Sequence, residues 1–577
     1  MGLLSLIIGF PLLGALVVLL VPSRFRRAFR IITIATTFIQ LLLSLALLSG
    51  YATGEGAPAG VDDVQAFQLV EKTEWFTLSL GSLGRMSVDY FVGADGLNVP
   101  LVILAALILL IGAISSWNID KLQKGYFALY LLLSSTIMGC FLALDFFLFY
   151  LFFEFMLLPM YFLIGLWGGP RREYASIKFF LYTLAGSLFI LVVMVGLYLS
   201  AIDPVKTAEL AGLGEGTATV QEQIKLTGQP DGGLPGETLV HTFNMVQLTD
   251  TDNFLPGKVL SPTSDRTLWG VPLRLLAFLA LFIGFAVKLP AIPLHTWLPD
   301  AHVEAPTPVS VLLAGLLLKI GGYGFIRTAW LIFPEGAIHY AWWIGVLGVV
   351  TIVYGALNAL AQKDLKKLVA YSSVSHMGFV LLGLAAMTTE GITGAIYMMV
   401  SHGLISPLLF LVAGVVYDRT HDRLIDHYSG LAAKMPYFTA FAVIACFASL
   451  GLPGFSGFVS ELLVFLGSFR ATGGEGALLS AWIPLVATLG LVLSAAYYLW
   501  TLQRMFFGPF YLHNSQWQMP DLTAREWIMM TPLAVGALVL GIFPDLLINL
   551  MDHSVVRFQE VVMENGLENL NLLKGQR

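Results

Sequence analysis

Cysteine and charge are both scarce in this chain. Its 577 residues include only two cysteines, Cys140 and Cys446, and both lie in apolar stretches. Without a Cys-x-x-Cys pair, the chain alone cannot supply the ligand set of an iron–sulfur cluster. It also lacks a glycine-rich nucleotide fingerprint between a strand and a helix. Any electron transfer would therefore have to occur in partner chains.

The shortage of charge indicates a membrane protein. Charged residues make up 12% of the chain and hydrophobic residues 57%, with a mean hydropathy of +0.80. Soluble domains carry about 25% charged residues, so this chain has too little polar surface for a water-facing globule. No basic stripe points to nucleic-acid binding. The lipid bilayer is the predicted environment.

Long apolar runs are abundant. A bilayer-spanning helix needs about 20 mostly apolar residues. This rule predicts about fourteen spans, beginning near residues 3, 31, 92, 126, 146, 179, 271, 308, 340, 368, 392, 436, 480 and 526. The first run, Gly2–Val21, is followed rather than preceded by arginines, the reverse of a secretory signal peptide. We expect it to be retained as the first helix, with its N-terminus outside.

The distribution of lysine and arginine predicts the orientation, because short cytoplasmic loops carry more of both. One side receives four basic clusters: Arg24–Arg30, Lys121/Lys124, Arg171/Arg172/Lys178 and Lys363/Lys366/Lys367. We assign that side to the cytoplasm. The acidic loops 51–90 and 201–268, the polar tail 551–577 and both termini fall on the opposite side. Arg327 and Arg470 are exceptions, because this assignment puts them on the extracytoplasmic side.

Two apolar runs are broken at matching positions. Val287–Leu294 and Gly451–Phe458 are rich in Gly and Pro, and such paired breaks are typical of inverted-repeat transporters. Ordinary proline kinks are the alternative. The predicted fold is an all-α polytopic membrane protein with two inverted five-helix repeats, each with a discontinuous helix. The N-terminal helices are expected in residues 1–125 and the first repeat in residues 126–335, which include the insertion 201–268. The second repeat is expected in residues 336–508, and the final helix and polar tail in residues 509–577.

Titratable side chains lie inside predicted spans. They are Glu154, Lys288, Lys319, His402 and Glu461. A charge at the bilayer centre costs about 2.5–3.5 kcal/mol, so these groups must face one another or water. A buried lysine can exchange its proton when a carboxylate moves, whereas arginine holds its proton, and histidine can pass protons near neutral pH. This composition predicts a proton relay.

Other interpretations remain for each residue. Glu154, Lys319 and Glu461 could form static pairs, and Lys288 could extend towards the membrane surface. His402 could be a helix-packing histidine. His295 and His376 are weaker relay candidates because they lie nearer to helix ends or loops.

Several long motifs resemble the proton-translocating quinone oxidoreductase family, and specifically the antiporter-like membrane subunits of respiratory complex I. They are KLPAIPLHTWLPDAH (288–302), APTPVS (305–310), EFMLLPMYFLIGLWG (154–168), YSSVSHMG (371–378), SHG (401–403) and GLPGFSGFVSE (451–461). Together they cover nearly the whole helical part. Glutamate at position 461 is similar to the M-type subunits, because the L and N types usually carry lysine there. The chain departs from the family pattern in its long loops 51–90 and 201–268.

The resemblance implies a multi-pass subunit of the bacterial inner membrane that moves protons. The driving force would be quinone reduction in an NADH–quinone oxidoreductase, and this chain itself would hold no cofactor. FMN, iron–sulfur clusters and quinone would be bound by partner subunits, and neighbouring antiporter-like subunits would be direct partners. The family's coupling pair corresponds to Glu154 and Lys288. Lys319 would pass protons along the axis towards an outlet at Glu461.

The sequence leaves three alternative functions open. The chain could belong to a multisubunit Na⁺/H⁺ antiporter without a redox partner, or to a proton-pumping membrane hydrogenase. A purely structural membrane scaffold is the third, and buried titratable groups in two matched units argue against it.

Overall fold

The structure is a computed structural model that describes residues 2–53, 67–213, 233–474 and 476–575. Most of this part of the chain is helical. In chain order the helices are α1 (Leu3–Leu20), α2 (Arg26–Thr53), α3 (Val99–Ser115), α4 (Gln123–Leu142), α5 (Phe146–Trp167), α6 (Arg172–Tyr198), α7 (Pro204–Ala211), α8 (Met245–Thr249), α9 (Leu273–Lys288), α10 (Trp297–Glu304), α11 (Thr307–Trp330), α12 (Pro334–Leu360), α13 (Leu365–Ala386), α14 (Thr389–Thr420), α15 (Pro436–Ser449), α16 (Ser456–Arg470), α17 (Trp482–Met505), α18 (Ala524–Ile542) and α19 (Asp545–Gly575).

Twelve helices in the described part of the chain are long and apolar enough to cross a membrane. They correspond to twelve of the predicted spans. The two others, predicted near residues 271 and 436, fall on the shorter helices α9 and α15, which stop at the predicted Gly/Pro breaks. Gly451 and Gly454 have positive φ angles of 75° and 97°, which end a right-handed helix. The total of fourteen spans and the inverted repeats stay predictions.

The two long loops join in one small sheet. Strands β1 (Gln68–Ser79) and β2 (Arg85–Ala94) form an antiparallel hairpin, and β3 (Val240–Thr242) from the insertion pairs parallel with β2. The third span therefore begins at Val99, and the predicted start near residue 92 is wrong because a strand occupies that region. Residues 54–66 and 214–232 of the predicted loops lie outside the described residues.

Two shorter strand pairs complete the strands of the described residues. They are β4 (Thr267–Leu268) with β5 (Val271–Pro272), and β6 (Tyr428–Ser429) with β7 (Tyr511–Leu512).

The insertion is packed onto the helices by a buried ion pair. Arg274, in the first turn of α9, places Nε 2.6 Å from Glu335 Oε1 and donates another hydrogen bond to the carbonyl of Leu260 in the insertion at 2.8 Å. Asn569 of α19 donates to the other oxygen of Glu335 at 3.2 Å. The Arg274 and Glu335 side chains are 2% and 0% exposed. The described end of the insertion around Leu260 therefore packs against neighbouring helices.

The segment predicted as a polar tail is helical from Asp545 to Gly575. Met551, Val555, Phe558 and Val562 are buried, and their spacing of three or four residues puts them on one face of a helix. This apolar face lies against α12 and α14. The helix therefore crosses several others instead of ending the chain as a tail.

Helices α11 and α14 form the centre of the molecule. Their most apolar 18-residue windows are entirely buried, whereas the corresponding windows of α1, α2, α6, α17 and α18 are buried to 39% or less. The outer helices expose apolar side chains of the kind that face lipid or a partner helix. Lys319 and His402, which lie on α11 and α14, are consequently surrounded by protein.

Candidate functional site

Glu154 and Lys288 approach each other without forming an ion pair. Lys288 ends α9 and is 1% exposed. Its Nζ lies 4.0 Å from the centroid of the Phe153 ring and interacts electrostatically with Glu154. Lys288 Nζ and Glu154 Oε1 are buried and have no hydrogen-bond partner among the described residues. The predicted pair is therefore close but open, unlike a static salt bridge.

Lys319 and His402 are in direct contact. Lys319 Nζ lies 2.7 Å from His402 Nδ1 and also donates to the carbonyl of Ala314. Ala314 belongs to the π-helical stretch Leu313–Leu317, whose widened turns shift carbonyls away from the normal helical pattern. The π-helix places this carbonyl within reach of the lysine. His402 Nε2 is buried without a partner among the described residues.

A polar path continues from His402 through His376. The two imidazole rings are 5.5 Å apart, and His376 Nε2 lies 3.0 Å from the carbonyl of Ser449. The Ser449 hydroxyl donates to the Tyr498 hydroxyl at 2.7 Å, which donates to Ser372 at 2.9 Å. His376, a weaker candidate in the sequence, thus lies in the central cluster.

Glu461 lies at the far end of this path. It is buried in α16, close to Gly451 of the preceding break, where any Cβ would collide with the carboxylate. Tyr497 interacts electrostatically with Glu461, and its ring is 4.5 Å from that of Tyr498. The Tyr497 hydroxyl is buried without a hydrogen-bond partner among the described residues. The tyrosines and Ser449 are members of the path that the sequence analysis did not find, although polar groups in an apolar helix are a usable signal.

His295 lies apart from this cluster. It follows the break after α9, and its ring packs against those of Tyr354 and Tyr371 at 5.7 and 6.3 Å. The contacts of its imidazole are thus with α12 and α13 rather than with Lys319.

Lys366 and His302 are buried on the other side of Lys319. Lys366, grouped in the sequence with the basic loop residues, is 2% exposed and donates to the carbonyl of Ala305 at 2.8 Å. His302 is 0% exposed, stacks on Phe410 at 4.4 Å and interacts electrostatically with both Lys366 and Lys319. The sequence did not single out Lys366 as a site residue because basic neighbours surround it.

A cavity of about 250 Å³ lies beside Lys366, and Glu304, Asp418 and Arg423 also line it. The cavity therefore forms a charged region near the ends of α10 and α14, and His302 interacts both with Lys366 beside it and with Lys319. No group of three or more His, Cys, Asp and Glu side chains suited to a metal ion occurs in the described part of the chain.

Asp145 caps the start of α5, the helix that carries Glu154. Its side chain accepts hydrogen bonds from the backbone N–H groups of Leu148 at 3.0 Å and Asp89 at 3.3 Å. Burial raises the pKa of Asp145 to about 7. On the same side, Lys206 donates to Asp89 at 2.8 Å. Burial disfavours the charge of Lys206, but this hydrogen bond raises its pKa.

The chain matches the family described as NADH:quinone oxidoreductase/Mrp antiporter, TM, over residues 143–223 and 241–485. It belongs to this family. A relative in the family, NADH-quinone oxidoreductase subunit M of Rhodobacter capsulatus, is 39% identical over 559 residues, which cover 96% of each chain. NADH-ubiquinone oxidoreductase chain 4 of Marchantia polymorpha is 34% identical over 557 residues, also 96% of each chain.

Two solved structures extend the family likeness to the fold. A chain of respiratory complex I from Thermus thermophilus with bound NADH has 28% sequence identity and a TM-score of 0.74, with 97% of this chain and 99% of that chain covered. A chain of the Mrp complex from Dietzia sp. has 21% identity and a TM-score of 0.71, with 99% of each covered. The second likeness shows the fold alone.

Proposed function

We propose that this chain is a proton-translocating membrane subunit of an NADH–quinone oxidoreductase. The proposed relay consists of Glu154, Lys288, Lys319, His402 and Glu461, with His376 as an intermediate member. The observation that carries the proposal is the 2.7 Å contact between Lys319 Nζ and His402 Nδ1, between two helices whose most apolar segments are entirely buried. Ionisable side chains inside a membrane protein are costly to bury and typically mark proton or ion pathways, so two such groups in contact support a role in proton transfer.

The geometry supports a direction along the relay. Among the described residues no hydrogen bond joins Lys288 Nζ to Glu154 Oε1, so a shift of the carboxylate towards or away from the ammonium group would break no bond between them. Approach of the carboxylate favours the charged lysine and separation favours proton release. A proton released towards Lys319 would continue through His402 and the His376, Ser449 and Tyr498 group. Buried polar atoms without a protein partner along this path are positions where ordered water can complete hydrogen bonds.

The proposal places the protein in a bacterial inner membrane. The basic loops would face the cytoplasm, and both termini with the β1–β2–β3 sheet and α19 would lie on the other side. Protons would enter through the cavity beside Lys366 and leave near Glu461. Other subunits of the complex, including neighbouring antiporter-like subunits, would be the partners. They would hold FMN, the iron–sulfur clusters and quinone, and reduction of quinone there would drive the relay.

Purification of the intact assembly tests this function. We expect the chain to co-purify with flavin- and iron–sulfur-containing subunits and with quinone-dependent NADH oxidation that acidifies one side of reconstituted vesicles. Isolation in an assembly without redox subunits, with exchange of Na⁺ for H⁺, would instead support the antiporter alternative within the same family. In that case the relay residues would still be tested by the substitutions below.

A further inference from the structure

A cavity with a basic mouth and an apolar wall lies outside the proposed relay. Its volume is about 580 Å³, and it is formed by the α1–α2 connection, the start of α4 and the end of α5. Arg26 and Lys124 line it together with Leu129, Phe162 and Leu166. All of these belong to the side of the molecule that carries the basic loops. No residue of the proposed relay lines it.

The lining changes from charged to apolar along the helix axes. Arg26 and Lys124 lie in the first turns of α2 and α4, whereas Leu129 lies roughly 7 Å further along α4 at 1.5 Å per residue. Phe162 lies about the same distance back from the end of α5. A ligand that fills this cavity therefore has an anionic end near the membrane surface and an apolar part that continues into the bilayer.

The positive charge at the mouth is largely uncompensated. Arg30 forms an ion pair with Asp120 at 2.7 Å. Asp120, whose carboxylate lines the cavity, is the partner in this pair. The two cations of the lining, Arg26 and Lys124, form no ion pair with any carboxylate of the described residues. The mouth therefore attracts anions, and side chains of this kind near a membrane surface contribute about 1 kcal/mol each to the binding of anionic lipid.

Gln123 adds an unused hydrogen-bond acceptor. It is 5% exposed and lines the cavity. Its amide nitrogen lies 2.7 Å from the carbonyl of Ile119 and 3.2 Å from Asp120 Oδ1, which fixes the orientation of the amide. The remaining oxygen, Oε1, is buried without a partner among the described residues. A hydroxyl group on the ligand would satisfy it.

The mouth of the cavity is open to the outer surface of the helix bundle. Leu122, which precedes α4, is 60% exposed, and Leu166 is 39% exposed. On the adjacent α1, Leu13 and Leu20 are 58% and 73% exposed. An apolar outer face beside a basic cavity is the environment of a lipid rather than of a free phosphate ion.

We propose that this cavity binds one anionic glycerophospholipid with a hydroxyl-bearing headgroup, of the phosphatidylglycerol class. Its phosphodiester lies between Arg26 and Lys124, the headgroup hydroxyl donates to Gln123 Oε1, and an acyl chain packs on Leu129, Phe162 and Leu166. Basic pockets between membrane helices commonly bind anionic headgroups. The apolar lower wall distinguishes this ligand from inorganic phosphate and from an acidic protein segment.

Photolabelling of the intact complex in nanodiscs tests the site. A phosphatidylglycerol with a diazirine in its acyl chain is expected to label peptides 122–130 and 160–167, and the matching phosphatidylcholine probe is expected to leave them unlabelled. The double variant Arg26→Ala/Lys124→Ala should weaken labelling roughly thirtyfold, which is the conversion of about 1 kcal/mol per cation. Arg24→Ala/Arg27→Ala also removes two positive charges, beside Arg26 but outside the cavity lining, and should retain labelling.

A steric variant keeps every charge. Gly125 lines the cavity, and a Cβ placed there would meet only Trp167 at 4.0 Å, so we expect the ring of Gly125→Phe to occupy the cavity. It should abolish labelling while the amount of assembled complex stays unchanged. Equal labelling by both lipids, equal loss in the two double variants, displacement by inorganic phosphate, or a crosslink from position 129 to another subunit in place of lipid would each overturn the proposal.

Discussion

Lys319 and His402 share a single hydrogen-bonded contact in the interior of the protein, with Nζ and Nδ1 separated by 2.7 Å. Two positive charges at this distance would repel strongly in a medium of low dielectric constant. The pair therefore favours a single positive charge, with one exchangeable proton between the amine and the imidazole. The arrival of a second proton from the side of Lys366 would drive the first one onwards.

The first prediction concerns the nature of the group at position 319. Lys319→Arg keeps the positive charge but cannot release its proton, so we expect a loss of at least about a hundredfold in proton transfer through this subunit, as for a removed acid–base group. Lys319→Ala should be as severe. Proton uptake into vesicles with reconstituted complex measures both. Normal pumping with arginine would identify residue 319 as a fixed structural charge.

The second prediction concerns the open pair at the start of the relay. Glu154→Gln should leave the complex assembled but strongly reduce NADH–quinone turnover and pumping, because Lys288 loses the counter-charge of the Glu154 carboxylate. Glu154→Asp should be milder, since the charge remains and only the reach shortens. Phe153→Leu is the matched control, because it removes the ring 4.0 Å from Lys288 Nζ without changing charge. Wild-type pumping by assembled Glu154→Gln complex would contradict the coupling role.

The third prediction concerns the buried ion pair that holds the insertion, α9, α12 and α19 together. Arg274→Met leaves Glu335 buried without its charged partner, and such a loss typically costs about 3–5 kcal/mol. Arg470→Ala is the control, because it breaks an ion pair with Glu390 whose arginine is 70% exposed and which should contribute about 0–1 kcal/mol. The temperature at which the chain dissociates from the purified complex measures both effects. Equal shifts would show that Arg274–Glu335 does not hold these elements.

The fourth prediction is a pH dependence from Asp145. Burial raises its pKa to about 7 from an ordinary value of 3.8, so between these values the folded state binds one proton more than the unfolded state. Stability from this group is therefore full below about pH 4 and is lost as the pH rises through 7, by about 1.4 kcal/mol per pH unit. Asp145→Asn should flatten the fall in dissociation temperature between pH 5 and pH 8, while asparagine still caps α5.

Asp203→Asn controls for the general loss of a buried capping carboxylate, because Asp203 caps the neighbouring helix α7 through the N–H of Lys206. An unchanged pH slope in Asp145→Asn would show that another group titrates in this range.

The membrane helices, and the charged residues buried within them, could be predicted from the length of the apolar runs in the sequence. Apolar length predicts a membrane helix because the bilayer fixes that length, and a charged residue such as Glu154 or Lys319 within a span is conspicuous because its insertion is costly. The breaks after α9 and α15 could also be predicted, because glycine and proline interrupt the apolar runs there. These features depend on local sequence.

Pairings between distant segments could not be predicted in this way. The contact of β3 with β2 joins two loops that are far apart in sequence, and neither loop carries a marker of the other. Similarly, Tyr498 reaches Ser449 and Ser372 only through the packing of α17 against α13 and α15. The burial of Lys366 was missed because its neighbours Lys363 and Lys367 made it resemble an ordinary basic loop residue.

The last prediction concerns the outlet. The family resemblance places Glu461 where the L- and N-type subunits usually carry lysine, and both side chains can accept and release a proton. The requirement at this position is then a group that exchanges protons, rather than a negative charge. We therefore expect Glu461→Lys to keep appreciable pumping, with its ammonium group able to donate to the buried Tyr497 hydroxyl, which has no other partner among the described residues. Glu461→Gln and Glu461→Ala should lose pumping, since neither can carry a proton.

A pH-sensitive dye in reconstituted vesicles, read alongside NADH oxidation, measures the proton yield per NADH for these three variants. The comparison must be made under a membrane potential, because each proton must then be moved against about 2.3 kcal/mol per 100 mV. Under that potential, a leak through a damaged outlet lowers the measured proton yield. The Gln variant is the most informative, since it preserves the shape of the side chain beside Gly451. A wild-type proton yield from Glu461→Gln would show that protons leave by a route that does not include Glu461. A yield from Glu461→Lys as low as that from Glu461→Ala would show that the sign of the charge matters at the outlet. The lysine would then remain protonated and could not accept a proton arriving from His376 and Tyr498.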